Sequence, residues 1–148
     1  MKQDSLYIGI DFDGTCVTHD FPRVGKDIGA QPVLKALVNA GHKLILFTMR
    51  SDIKNPQSED NEIHLEDGDY LTEAINWFKK NDILLYGIQT NPTQHLWTTS
   101  PKAYAHIYID DAALGCPLKQ EPGEERLSVD WDGVKEILIK RKIIPVSD

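Results

Sequence analysis

The sequence has few cysteines, a deficit of basic residues and no long apolar run, and each shortage excludes a class of protein. Two cysteines, Cys16 and Cys116, are too few for a disulfide-stapled secreted fold, so a reducing, cytoplasmic location is expected. Lysine and arginine number 16 against 23 aspartates and glutamates, and the net charge of -7 disfavours binding to nucleic acid and to anionic membranes. No stretch is apolar for long enough to predict a signal peptide or a membrane span.

The rest of the composition is that of an ordinary globular protein. Hydrophobic residues make up 41% and charged residues 26%, which argues against disorder. A length of 148 residues fits one domain, and the sequence contains no internal repeat and no low-complexity tract. We therefore expect a single domain over residues 1–148.

Short β-rich runs alternate with helical patterns along the chain. The runs cover residues 7–10, 43–47, 83–86 and 106–109. Helical periodicity lies between Pro32 and Gly41, between Leu71 and Phe78 with Asn81 as a left-handed stop, and after Asp130, which is expected to cap a helix carrying Val134, Ile137 and Leu138. This alternation predicts an α/β fold with a doubly wound, Rossmann-like, mostly parallel sheet flanked by helices. Residues 51–69 and 112–129 are expected to be surface loops.

Charged and polar side chains follow the predicted strands, at the point where each strand ends. They are Asp11 and Asp13 after the first run, Thr48, Met49 and Arg50 after the second, Gln89 after the third, and Asp110 and Asp111 after the fourth, with Lys102 just before it. Because functional groups gather at the carboxyl ends of parallel strands, four carboxylates are expected at one edge of the sheet. Such crowding is unfavourable unless a cation offsets it, and ligation by oxygen alone selects Mg²⁺. The pattern predicts a Mg²⁺ site for phosphoryl chemistry.

Taken together, these motifs resemble the haloacid dehalogenase superfamily of aspartate-nucleophile phosphohydrolases. The matching residues are Asp11-Phe12-Asp13-Gly14-Thr15 after an apolar strand, Thr48 at the end of a second, Lys102, and Asp110-Asp111 after residues 107–109. They stand in the order of the family and lie between residues 7 and 111. The resemblance implies a phosphatase that uses Mg²⁺ as its cofactor and hydrolyses a phosphate monoester.

Specific roles follow from the resemblance for the matching residues. Asp11 would attack phosphorus and form an aspartyl-phosphate, and Asp13 would protonate the leaving oxygen and then deprotonate the attacking water. Thr48 would bind the transferring phosphoryl group, and Lys102 would offset its charge and hold the nucleophile. Mg²⁺ would be held by Asp11, by Asp13 through its main-chain carbonyl, and by the acidic pair, with Asp111 favoured over Asp110 as the direct ligand. Gly14, Thr15, Met49, Arg50 and Arg23 are the candidates for substrate contacts.

The spacing of the motifs leaves no room for a cap domain. Between Thr15 and the second strand there is space for a short flap, roughly residues 16–29, and one helix; after Thr48 only the acidic loop is left over. The chain is therefore similar to capless family members, which act on large phosphorylated substrates or borrow a neighbouring subunit of a homo-oligomer as a lid. The substrate, small molecule or macromolecule, stays open.

Other candidate residues have a simpler structural interpretation. His19 in the flap and Trp97 and Gln89 near the site entrance could contact the substrate, but packing explains them more simply. The remaining histidines lack the spacing of a zinc site, and the sequence has no phosphate-binding loop of the nucleoside triphosphatases.

Two alternatives to the phosphatase remain. A signalling receiver domain has an acidic pair, a phosphorylated aspartate, a threonine and a lysine on a similar sheet, but with the acidic pair on the first strand, the reverse of the order here. A binding domain that kept the fold and lost the activity is the other alternative.

Overall fold

Four parallel strands form the central sheet of this computed structural model, which describes residues 4–54 and 66–146. In chain order the strands of the described residues are β1 (Tyr7–Ile10), β2 (Lys43–Leu46), β3 (Asp52–Ile53), β4 (Gly68–Asp69), β5 (Gly87–Ile88), β6 (Ile107–Ile109), β7 (Leu118–Lys119) and β8 (Ser128–Val129). The central sheet has the order β5-β2-β1-β6, with β1 pairing in parallel with both β2 and β6. The fold is therefore α/β, as the sequence predicts, and β1 and β6 end side by side.

Within the described part of the chain, three α-helices accompany the sheet: α1 (Ala30–Asn39), α2 (Tyr70–Lys80) and α3 (Trp131–Lys140). The predicted cap of α3 is confirmed, because the Asp130 carboxylate accepts a hydrogen bond from the Asp132 N–H at 3.2 Å. The predicted left-handed stop at Asn81 is wrong. Asn81 has φ -93°, and its side-chain amide donates to the Trp77 carbonyl. The left-handed residue is the next one, Asp82, with φ 56°.

The third strand lies later in the chain than the sequence predicts. Residues 83–86 are apolar, but the Ile83 N–H donates to the Phe78 carbonyl at 2.9 Å and closes the end of α2. Leu84 is exposed, and the strand that pairs with β2 is Gly87–Ile88, preceded by a hydrogen bond from the Tyr86 N–H to the Leu44 carbonyl at 2.7 Å. The apolar run thus connects helix to sheet, and Gln89 still follows the strand directly. The other predicted strands are confirmed to within one residue.

One hydrophobic cluster joins the sheet to all three helices. It contains Ile8 and Ile10 of β1, Leu44 and Leu46 of β2, Leu34 and Leu37 of α1, Phe78 of α2 and Leu138 of α3. Cys16 is fully buried in the same cluster, which agrees with its interpretation as a packing residue. The central strands are buried almost throughout, as expected for parallel strands with continuous apolar sequences.

The two segments predicted as loops contain short antiparallel pairs. β3 pairs with β4, Asp52 opposite Asp69, and β7 pairs with β8. Residues 55–65, and with them most of the predicted acidic loop, lie outside the described residues. In the described segments, no helix combines the length and the apolar character that crossing a membrane requires.

Candidate active site

Three carboxylates meet where the neighbouring strands β1 and β6 end. Asp11 follows β1, and its N–H donates to the carbonyl of Ile109, the last residue of β6, at 3.1 Å. Asp110 and Asp111 follow β6. Each of the three offers a carboxylate oxygen, these oxygens all lie within 4.8 Å of one another, and all three residues are partly buried. The parallel pairing of β1 with β6 thus brings aspartates from distant parts of the chain to the same edge of the sheet.

Thr15 connects two of these aspartates. Its hydroxyl donates to Asp11 Oδ2 at 2.8 Å and accepts from the Asp111 N–H at 3.0 Å. The residue is fully buried, in a turn closed by the hydrogen bond from its N–H to the Phe12 carbonyl and held by Trp131, whose ring N–H donates to the Thr15 carbonyl. The sequence placed Thr15 among the substrate contacts. In the structure its hydroxyl joins Asp11 to Asp111, since its one proton is donated to Asp11 and one of its lone pairs accepts from the Asp111 N–H.

Burial raises the pKa of Asp11 to about 8. The hydrogen bond from Thr15 opposes this shift, while the negative charge of Asp110 and a hydrogen bond with Asp111 add to it. An uncompensated Asp11 therefore favours its protonated form at neutral pH, in which it is a poor nucleophile. A cation among the three carboxylates would favour the ionised form.

Gly14 allows the chain to turn beneath His19. Its φ is +80°, in the left-handed region, and a Cβ on it would lie 1.9 Å from His19 Nε2. That nitrogen lies 2.7 Å from Asp111 Oδ2, and the side chains of both residues are largely buried. Gly14 thus gives the turn its left-handed backbone and the space that His19 occupies. His19 is a site residue that the sequence underrated, since nothing in the sequence indicates that the flap folds back onto Asp111.

We expect Gly14→Ala to destabilise the protein more than Gly123→Ala. Both glycines have φ +80°, so both variants lose about 1–2 kcal/mol to the left-handed backbone. No atom lies within 4 Å of a Cβ on Gly123, whereas at Gly14 the clash with His19 adds about 1–3 kcal/mol. Urea unfolding of both variants measures the difference. Adding His19→Ala to Gly14→Ala should make this difference in the free energy of unfolding smaller. Equal losses of stability in Gly14→Ala and Gly123→Ala would contradict the role of the His19 contact.

Asp13 lies apart from the three carboxylates, in an ion pair with Arg50. Arg50 Nε donates to Asp13 Oδ2 at 2.8 Å and Nη2 donates to Oδ1 at 2.7 Å. The Arg50 guanidinium is buried against Asp13, whereas the sequence suggested Arg50 as a residue that contacts the substrate. The pairing of the two residues was not anticipated, because they are 37 positions apart and on different loops.

Gln89 fixes the loop that carries Thr48. Its side-chain oxygen accepts from the Thr48 N–H at 2.8 Å, and its Nε2 donates to the Thr48 carbonyl at 2.7 Å and to the Arg50 carbonyl at 3.1 Å. Gln89 itself has a left-handed backbone, with φ 65°. The Thr48 hydroxyl accepts from the Arg50 N–H at 3.1 Å. The only signal for Gln89 in the sequence was its position after a strand.

Three other predicted site residues are exposed at the surface: Lys102, Met49 and Arg23. Lys102 is exposed, with Nζ 5.4 Å from the centre of the Tyr108 ring, and forms no ion pair within residues 4–54 and 66–146. Met49 is almost fully exposed. Arg23 is exposed and paired with Asp20 at 3.0 Å. Asp11 accepts its side-chain hydrogen bond from Thr15, and no bond from Lys102 to Asp11 is found among the described residues.

Comparisons with known proteins give one informative match. No protein-family model matches the sequence, and no curated protein matches it. A solved structure described as the structure of a conserved protein from Bacteroides thetaiotaomicron is 31% identical to this chain. The match covers 94% of this chain and 93% of that one, with a TM-score of 0.66. The likeness thus extends over nearly the whole of both chains.

Proposed function

We propose that this chain, which belongs to the same family as the conserved protein from Bacteroides thetaiotaomicron, is a Mg²⁺-dependent phosphatase that hydrolyses a phosphate monoester. Its fold would be the doubly wound core of the haloacid dehalogenase superfamily, in one domain and without a cap. The substrate would be a phosphorylated small molecule or macromolecule, and a homo-oligomer in which a second subunit covers the site is compatible with this proposal.

The observation that carries the proposal is the meeting of Asp11, Asp110 and Asp111 at the carboxyl ends of adjacent parallel strands. The donors are all carboxylate oxygens, which suit Mg²⁺, and burial together with the charge of Asp110 raises the pKa of Asp11, so a cation at this point would favour the ionised carboxylate. These residues therefore fit the ion, and the three carboxylates would hold it. When bound, Mg²⁺ offsets negative charge on the transferring phosphoryl group.

The chain's own residues would divide the reaction into two displacements. Asp11 attacks phosphorus and forms an aspartyl-phosphate as the bond to the leaving oxygen breaks. Asp13 gives a proton to that oxygen and then takes one from the water that hydrolyses the intermediate. The Thr48 hydroxyl accepts a bond from the Arg50 N–H, so its own proton can be donated to a phosphoryl oxygen.

Hydrolysis of 4-nitrophenyl phosphate tests the proposal. We expect the purified protein to release nitrophenol with Mg²⁺ and to lose this activity in EDTA, with recovery when Mg²⁺ is added in excess. A rate that is unchanged by EDTA, or no hydrolysis of this ester or of a panel of phosphorylated metabolites, would contradict the proposal. A stable phosphoryl label from acetyl phosphate without turnover would favour the receiver-like alternative.

A further inference from the structure

We propose that Arg50 is a positioning residue for Asp13: it sets the direction of the carboxylate that exchanges protons with the leaving group and with water. The inference rests on the proposed function, because it assumes that Asp13 is the acid and base. Its basis is the two-pronged pair, in which each oxygen of Asp13 accepts from a different nitrogen of Arg50, at 2.8 and 2.7 Å. Two parallel bonds of this kind fix the plane of a carboxylate as well as its distance.

Arg50 can orient Asp13 because Arg50 is itself immobilised. The residue is only 2% exposed. Its Nη1 donates to the Tyr70 carbonyl at 3.1 Å and its Nη2 to the Arg23 carbonyl at 2.8 Å. The guanidinium carbon lies 5.0 Å from the centre of the Phe12 ring and 5.1 Å from that of Phe21. The start of α2, the flap and two aromatic rings thus fix the guanidinium of Arg50. Because the guanidinium cannot move with it, the Asp13 carboxylate cannot rotate without breaking one of its two bonds to Arg50.

The same hydrogen bonds leave Arg50 little capacity to bind substrate. A guanidinium has five N–H donors. Two go to Asp13 and two to the carbonyls of Tyr70 and Arg23. The remaining Nη1 donor faces Glu73, whose carboxylate lies 3.9 Å away. Loss of Arg50 should therefore act through Asp13 and through the flap, whose Arg23 carbonyl would lose its donor, and not through binding of the phosphoryl group.

Leaving-group dependence separates this role from a structural one. A misplaced acid matters most when the leaving oxygen needs a proton, so phenyl phosphate is more sensitive than 4-nitrophenyl phosphate. With Mg²⁺, we expect Arg50→Lys, which keeps the charge but lacks the fork, to lower kcat/KM about tenfold or more on phenyl phosphate and less on the nitrophenyl ester, because kcat/KM reports the displacement in which the leaving oxygen departs. In an Asp13→Asn background the substitution should add little. Arg126→Gln, on an exposed loop, is the matched control.

Several results would overturn the inference while the phosphatase proposal stands. They are an unchanged or raised kcat/KM in Arg50→Lys, equal losses of kcat/KM on the two esters, or losses that multiply in the double variant. If the Arg50 variants do not fold, as judged by circular dichroism, Phe21→Leu removes one supporting ring at the surface, and a preferential loss of about two- to fivefold on phenyl phosphate is expected. No preferential loss there would overturn the inference too. A wild type without Mg²⁺-dependent hydrolysis would refute the proposed function itself.

Discussion

Replacing Asp11 with asparagine is expected to abolish Mg²⁺-dependent hydrolysis of phosphate monoesters. The amide has almost the same shape as the carboxylate, but it cannot form the aspartyl-phosphate and is a poor ligand for Mg²⁺. The assay is single-substrate hydrolysis of 4-nitrophenyl phosphate at saturating Mg²⁺. Asp132→Asn, an exposed aspartate in the first turn of α3, is the matched control and should keep wild-type activity. Turnover by Asp11→Asn at a rate near that of the wild type would end the assignment of the nucleophile.

The pH dependence of the stability of the Asp11→Asn variant, measured in EDTA, tests the effect of burying Asp11. The pKa of Asp11 is about 8 in the folded, ion-free protein, against 3.8 as its ordinary value. Between these values the folded chain binds a proton that the unfolded chain has released, so this carboxyl's contribution to the free energy of unfolding falls as pH rises from about 4 to about 8. Asparagine does not titrate. Urea unfolding should therefore find that the free energy of unfolding of the wild type falls relative to that of the variant as pH rises to about 8, and the same pH dependence in both proteins would contradict the burial argument.

The Asp13→Asn variant is expected to lose about 10²–10⁴-fold in kcat, the usual contribution of a general acid and base. The loss of kcat/KM should be larger for phenyl phosphate than for 4-nitrophenyl phosphate, because the phenol oxygen is the weaker leaving group and depends more on a proton donor. Steady-state kinetics on both esters at saturating Mg²⁺ measure this difference. A loss below tenfold, equal on both esters, would show that Asp13 transfers no proton in the rate-limiting step.

Asp13→Asn also changes stability, and this has to be separated from catalysis. The amide can accept from only one nitrogen of Arg50, so a buried guanidinium loses a charged partner and the free energy of unfolding should fall by about 1–3 kcal/mol. Kinetics should therefore be measured well below the unfolding midpoint of the variant. Circular dichroism at the assay temperature confirms that the protein is folded there.

The sequence predicts the part of the site that the sheet itself builds. Residues that follow parallel strands must lie at one edge, and this rule is enough to bring Asp11 near Asp110 and Asp111 without any knowledge of loops. The same holds for the Asp130 cap, whose partner is two residues away. Local periodicity and strand polarity therefore suffice for these features.

What the sequence misses depends on how loops pack on one another. Arg50 reaches Asp13 across 37 residues, Gln89 reaches Thr48 across 41, and His19 reaches Asp111 across 92. None of these contacts follows from a periodic pattern. The error at residues 83–86 has a related cause, because an apolar run fits a buried strand and a helix-to-strand connection equally well until the helix end is placed.

The short pair of β3 and β4 has a consequence for protein engineering. Asp52 lies opposite Asp69, and its carboxylate also accepts from the N–H of Thr72 at 2.9 Å and from its hydroxyl, so the two ends of the intervening segment are tied to each other and to α2. The entropy of closing a loop grows only logarithmically with its length. A graft between these ends, such as an affinity tag, should therefore leave the register of the central sheet unchanged.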